Sequence, residues 1–204
     1  MKRFLTTKGL IGIVLLAAIA LIAILGPLIL SPDAATAMDM TARRSPPSMK
    51  HLFGTDQLGR DLLFRVILGA RTSLEIAVSA VVMSVVLGLP LGLISGYFGG
   101  WIDNVLMRLV DTLLAFPALL LALTISAVLG PNVQNTVIAI GIAFTPFLAR
   151  IIRGEALRVA QMPYVEAARS SGTTDILIMI RHVLPNILPA VIVQSTISLA
   201  FAIL

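Results

Sequence analysis

The sequence predicts an all-α fold, a polytopic transmembrane helical bundle of about five spans. Three observations lead there. The 204 residues are 58% hydrophobic and 12% charged, against about 45–50% and about 25% in soluble domains. Charge-free apolar runs recur near the length of roughly 20 residues that crosses ~30 Å of hydrocarbon at 1.5 Å per residue. The basic residues fall between these runs rather than in one patch, so the net charge of +5 gives no nucleic-acid surface. Zero Cys removes disulfides, thiolate metal sites and cysteine nucleophiles.

The first run is 10–30, preceded by Lys2, Arg3 and Lys8. It exceeds the apolar core of a signal peptide and shows no small-x-small cleavage site near its end, so it reads as a retained anchor. The second is 76–102, its apolar part ending near Ile94. Along it Ala80, Ser84, Gly88, Gly92, Gly96 and Gly100 recur every four positions, a seam that lets another helix approach closely. Gly96, Gly99 and Gly100 are assigned instead to the connecting turn, and Pro90 predicts a kink. Between Asp111 and Arg150 the chain is free of charge for too long a stretch to cross once. The turn signal at 130–135 splits it into helices over 105–129 and 133–150. Arg108 and Asp111, spaced i, i+3, read as an ion pair at the membrane boundary. The fifth run is 187–204. With the N-terminus inside, nine Lys and Arg (Lys2, Arg3, Lys8, Arg108, Arg150, Arg153, Arg158, Arg169, Arg181) lie on the inner side. Six (Arg43, Arg44, Lys50, Arg60, Arg65, Arg71) lie in the outer 31–72 loop, which favours that orientation.

The segment 153–185 is too polar to cross. Pro163 suits a first helical position, residues 164–171 are compatible with helix, and Gly172 is placed for a left-handed cap. Thr173 or Thr174 then caps a second helix starting near Asp175, whose carboxylate favours the helix N-terminus. That helix is expected to end before Pro185, with Arg181 and His182 in its last turn. The residues alone leave two readings open, an amphipathic element lying on lipid and a helix docked in a partner's groove. Outside the membrane, Thr55 or Asp56 reads as the cap of a helix from about Gln57 carrying Arg60, Asp61 and Arg65. Such a helix could simply lie on the outer surface, contact a partner there, or gate an opening. His51 and His182 stand isolated, so neither is assigned to a metal. No nucleophile–base pair is present, and the lysines (Lys2, Lys8, Lys50) stand in no Gly-Lys-Ser/Thr phosphate loop.

Glu166-Ala167-Ala168, Gly172 and Leu184-Pro185 resemble the EAA loop of permease subunits of type I ATP-binding-cassette importers, which have a MetI-like transmembrane fold. The 182–186 stretch, His-Val-Leu-Pro-Asn, is similar to the dipeptide, oligopeptide and nickel branch. So are 51–56, Gly59-Arg60-Asp61 and Gly69-Ala70-Arg71. His182, where the family often has Ile, and Phe64, where a small polar residue is common, depart from the pattern. The likeness runs from Lys50 to the C-terminus.

The resemblance implies an anchor and external loop at 1–72 and a permease core at 73–204 in a multi-pass inner-membrane protein. ATP would be hydrolysed by partner subunits, with no cofactor and no catalysis in this chain. Glu166 would face the ATPase, Ala167 and Ala168 would allow close contact, and Gly172 would make the bend ahead of Asp175. Leu184 and Pro185 would anchor the return. Gly54, Thr55, Asp56, Gly59, Arg60 and Asp61 would form the external motif. The implied partners are a homologous second permease, two ATPase subunits, an extracytoplasmic substrate-binding protein and membrane lipid. Six spans are usual in such permeases, so a C-terminal truncation is also expected, and the transported solute stays open. An ion-coupled secondary transporter would need coupling residues or broken-helix repeats that are not read here. A non-transporting truncated scaffold is the third alternative.

Overall fold

The computed structural model describes residues 7–29 and 36–203. Lys2, Arg3, the 30–35 stretch and Leu204 lie outside the described residues. The chain forms two compact units, Met1–Glu75 and Ile76–Leu204.

In the first unit, helix α1 (Thr7–Ile29) is apolar all round and leaves Leu10, Ile13, Leu16 and Ile24 exposed, as a helix immersed in lipid must. A short 3-10 turn, Met40–Ala42, follows Asp39, whose carboxylate accepts the Thr41 amide at 3.0 Å. Helix α2 (Leu62–Phe98) starts in this unit, well before the apolar run at 76. Its start is set by Asp61, whose Oδ1 accepts the amides of Leu63 (2.9 Å) and Phe64 (3.3 Å) and so satisfies two donors that a helix N-terminus leaves open. Pro90 lies inside the helix without breaking it.

The second unit continues with α3 (Gly100–Leu114), α4 (Ala118–Leu129), α5 (Val133–Ala160), α6 (Pro163–Ser170) and α7 (Asp175–Ile178). A π-helical turn, Met179–Val183, then leads into α8 (Leu184–Ile203). The small-residue seam is present. Ala80, Ser84, Gly88, Gly92 and Gly96 are all buried, and α5 lies directly on the three glycines. A β-carbon at Gly88 would sit 3.0 Å from the Thr145 carbonyl oxygen; at Gly92 and Gly96 it would come within 2.8 Å of the β-carbons of Ile152 and Ala156. Gly96 therefore belongs to the seam and not to the turn, because the four-residue repeat stays in helical register through it. Gly99 and Gly100, at φ +63° and +55°, make the turn. The contacts on α5 advance with those on α2, so the two helices run parallel, and the chain between them must cross back.

That return crossing is where the expected 105–129 helix fails. α3 and α4 meet at 84°, because Pro117 carries no N–H and disfavours helical geometry at the residue before it. At about 18 Å, α4 is too short to cross alone. Among the described residues four helices are long and apolar enough to span, and the bent pair makes a broken fifth span or a re-entrant element. Asp111 does not pair with Arg108. It bonds instead to Arg150 of α5, a partner that helical spacing within one run could not reveal.

The last span also differs. Rather than stopping before Pro185, the helix begun at Asp175 runs on to Ile203. The π turn reconciles it with the proline: Leu184 N–H reaches back five residues to the Met179 carbonyl, widening the helix where the ring of Pro185 would crowd the preceding turn. Asn186 Nδ2 donates to the His182 carbonyl at 2.7 Å. The tightest packing in this unit gathers Tyr97, Ile152, Ala156, Val159, Val165, Ile178, Val183 and Ile187. The core thus sits where α2 ends, under α6 and the 171–174 bend, rather than at mid-span.

Candidate functional site

α6 begins as its sequence requires, with Met162 at the N-cap and Pro163 in the first turn. Val165 is fully buried and fixes the inner face, while Glu166, Ala167 and Arg169 are exposed and Ala168 is half-buried against the core. The helix closes in a Schellman motif. Gly172 N–H donates to the Arg169 carbonyl (3.0 Å) and Thr173 N–H to that of Ala168 (3.1 Å). Gly172 takes φ +79° with open space around its missing side chain. Glycine is needed here for backbone conformation alone.

Neither threonine side chain caps α7. Thr174 occupies the N-cap position and contributes only its carbonyl, to Ile178 N–H at 2.9 Å. Asp175 is engaged from elsewhere: Tyr97, the penultimate residue of α2 and 7% exposed, donates its hydroxyl to Asp175 Oδ1 at 2.6 Å. The Arg169 guanidinium lies 5.4 Å from the centre of the same ring, within cation–π range. One buried tyrosine thus holds the residues on both sides of the bend. Leu184 is half-buried against the core and Pro185 is exposed one residue later. His182 lies beside Tyr164, ring centres 6.4 Å apart.

A second brace ties α2, α3 and α5. Arg153 grips Asp103 with two nitrogens, Nε at 2.5 Å, and the fully buried Ser95 donates its hydroxyl to the same carboxylate. Tyr97, Ser95 and Asp103 escaped the reading of the sequence. The available signal was the position of Asp103 and Arg153 at the ends of apolar runs, where an unpaired charge would be costly.

The 54–61 motif folds differently from expectation. No helix starts at Gln57. The Asp56 carboxylate instead draws residues 56–60 into a tight turn, Oδ1 accepting the amides of Leu58 (2.8 Å) and Arg60 (3.0 Å). Its Oδ2 takes Arg60 Nε (2.8 Å) and an Arg65 nitrogen (2.6 Å). Burial alone would raise the Asp56 pKa, but the Arg60 and Leu58 amides and the Arg60 guanidinium outweigh it, lowering the value to about 2. Gly54 and Gly59 both take φ +74°. A β-carbon at Gly54 would lie 2.5 Å from the Ser45 carbonyl oxygen, and one at Gly59 would overlap the backbone of Asp39. The Thr55 hydroxyl accepts Ser45 N–H at 2.9 Å and donates to the Ala42 carbonyl. Together these residues lace 54–61 onto 39–47.

Nor is His51 isolated. Its Nδ1 lies 2.9 Å from Asp61 Oδ2, the carboxylate that caps α2. Burial pushes the Asp61 pKa up, yet the His51 bond and the Phe64 and Leu63 amides bring it below the ordinary carboxylate value. Among the described residues no cluster of His, Cys, Asp and Glu could hold a metal ion.

Residues 88–204 match the family model described as binding-protein-dependent transport system inner membrane component. A Brucella suis biovar 1 protein named for peptide transport as a permease is 44% identical over 95% of this chain. The dipeptide transport system permease protein DppC of Alkalihalophilus pseudofirmus is 40% identical over 96% of it. The glutathione transport system permease protein GsiD of Shigella flexneri serotype 5b is 45% identical over 84%. The chain spans 65%, 64% and 57% of the lengths of these three relatives. With its bent α6–α7 segment standing at the end of a multi-pass helical bundle, the chain belongs to the family of inner membrane components of binding-protein-dependent transport systems.

Proposed function

We propose that the chain is the transmembrane permease subunit of an ATP-driven importer for peptides or related small solutes. ATP is hydrolysed by two separate ATP-binding-cassette subunits, and the pathway is completed by a homologous second permease. The observation that carries this reading is the braced, exposed bend from Pro163 to Asp175. α5 is 28 residues long, about 42 Å, and its C-terminal end therefore projects beyond ~30 Å of hydrocarbon. α6 stands on that projection with Glu166 and Ala167 facing outward. A partner cleft that seats α6 acts on a body fixed to α2 and α5 through the buried core. Closure of the ATPase pair would then bias the bundle between two states open to opposite sides. Glu166 contacts the ATPase, Ala167 and Ala168 permit close approach, Gly172 and Asp175 shape the bend, and Leu184 and Pro185 carry it into the last span. The laced loop around Asp56 and Asp61 offers a rigid external surface to a substrate-binding protein.

The test is site-specific crosslinking in membranes. Photoreactive groups at Glu166 and Ala167 should capture an ATPase subunit; capture of lipid alone overturns the reading. In the assembled transporter, Gly172→Val should insert normally yet uncouple ATP hydrolysis from uptake, and undiminished uptake would count against it.

A further inference from the structure

α3 carries a second interaction surface. Its inner side is spoken for: Val110 is buried, Asp103 is held by Arg153 and Asp111 by Arg150. Its outer side divides into two adjacent rows, each spaced i, i+4, i+8. One is apolar, with Trp101 77%, Val105 48% and Leu109 57% exposed. The other is polar, with Asn104, Arg108 and Thr112 exposed. An edge of each kind along one helix suits the boundary between acyl chains and headgroups.

The depth of α3 follows from the residues that hold it. Counted from Val133 at the far end of α5, Arg150 and Arg153 lie about 26 Å and about 30 Å along the helix, at the opposite limit of the hydrocarbon layer. Two ion pairs thus pin α3 along that boundary, and the 84° bend sends α4 away from it. Trp101 at the start of α3 is the residue type that settles at such a boundary.

Charge selects the occupant. Asp103 and Asp111 are neutralised by Arg153 and Arg150, whereas Arg108 makes no ion pair among the described residues. It faces a surface groove of about 640 Å3 that Asp103, Asp111 and Arg153 also line. With Arg150, which pairs with Asp111 from outside the groove lining, three guanidinium groups stand against two carboxylates and leave a single net positive charge beside an apolar row. We propose that this face binds an anionic phospholipid on the side of the membrane that bears α6, with its phosphate on Arg108 and its acyl chains along Trp101, Val105 and Leu109. The site is independent of the importer assignment, since it requires only that α5 crosses the bilayer.

Trp101 is the single tryptophan of the chain, so its emission reports on this face alone. The full chain is placed in nanodiscs of phosphatidylcholine containing equal mole fractions of either dibrominated phosphatidylglycerol or dibrominated phosphatidylcholine. Bromines near the headgroup should quench Trp101 more than bromines deep in the chains. Phosphatidylglycerol should be enriched around it roughly fivefold, the effect of one cation near the surface. Arg108→Gln should bring the two lipids to parity without changing the depth profile, and Arg108→Lys should keep most of the preference. No quenching by any brominated lipid would mean that protein covers the face, and would overturn the proposal. So would equal quenching by both lipids in the unaltered chain, a preference that survives Arg108→Gln, or one abolished by inorganic phosphate.

Discussion

The hydroxyl of Tyr97 at the end of α2 lies 2.6 Å from Oδ1 of Asp175 at the start of α7, across the bend that Gly172 makes. The partners are 78 residues apart in sequence, and the same ring carries Arg169 from the other side of the bend. The orientation of α6 is therefore set by a residue of the membrane bundle and not by its own short helix.

Tyr97→Phe keeps the ring under Arg169 and removes the hydroxyl. It should cost about 1 kcal/mol in thermal stability, an ordinary hydrogen-bond contribution. In an assembled transporter it should also lower the amount of solute moved per ATP hydrolysed. The ratio of uptake to hydrolysis, measured in proteoliposomes beside Asp175→Asn, checks this. An unchanged ratio in Tyr97→Phe would confine the bond to a stabilising role.

The glycines of the seam should not tolerate alanine. At Gly92 and Gly96 the added methyl group meets α5 backbone and β-carbons, and overpacking of this kind costs typically 1–3 kcal/mol. Gly154 has nothing within 4 Å of the corresponding position. Gly154→Ala should therefore stabilise by roughly 0.5–1 kcal/mol, the usual helical difference. Thermal unfolding in detergent should show opposite signs for the two classes.

Asp56 gives the 39–61 loop a defined acid sensitivity. Its folded pKa of about 2 lies below the ordinary value of 3.8, so protons bind the unfolded loop more readily. The stabilisation is fully present above pH 3.8 and is lost as pH falls through about 2. Protease susceptibility of the 39–61 segment should rise across that window, and Asp56→Asn should raise it at neutral pH and flatten the dependence.

Asp61→Ala removes the cap of α2 and the partner of His51. The expected cost is about 1 kcal/mol, localised at the helix start. Hydrogen exchange at the Leu63 and Phe64 amides should accelerate while exchange near Gly92 stays unchanged.

The spans were legible because lipid demands long apolar runs, and the seam because its four-residue repeat survives in any helix. Gly172 was legible because a left-handed cap is a local requirement. Pro117 was passed over because apolar composition continues on both sides of it, and hydropathy does not register a missing N–H. Asp56 and Asp61 each fit a capping pattern, and only the chain laced beneath them decides which one caps. Asp111 found Arg150 and Asp175 found Tyr97 across the fold, where spacing along one helix carries no information. The bend at Gly172 was readable from local geometry; the tyrosine that braces it was not.

The contact of Gly88, Gly92 and Gly96 with α5 has a mechanical side. With no side chains on the α2 side, its backbone interlocks with the β-carbons and backbone of α5 like a ratchet, and sliding by less than a full tooth meets hard repulsion. α2 and the facing half of α5 should travel as one rod, delivering a push at the Tyr97 end to the Gly88 end undiminished. Compliance is then left to the elbow at Phe116 and Pro117, where the helical ladder is already open.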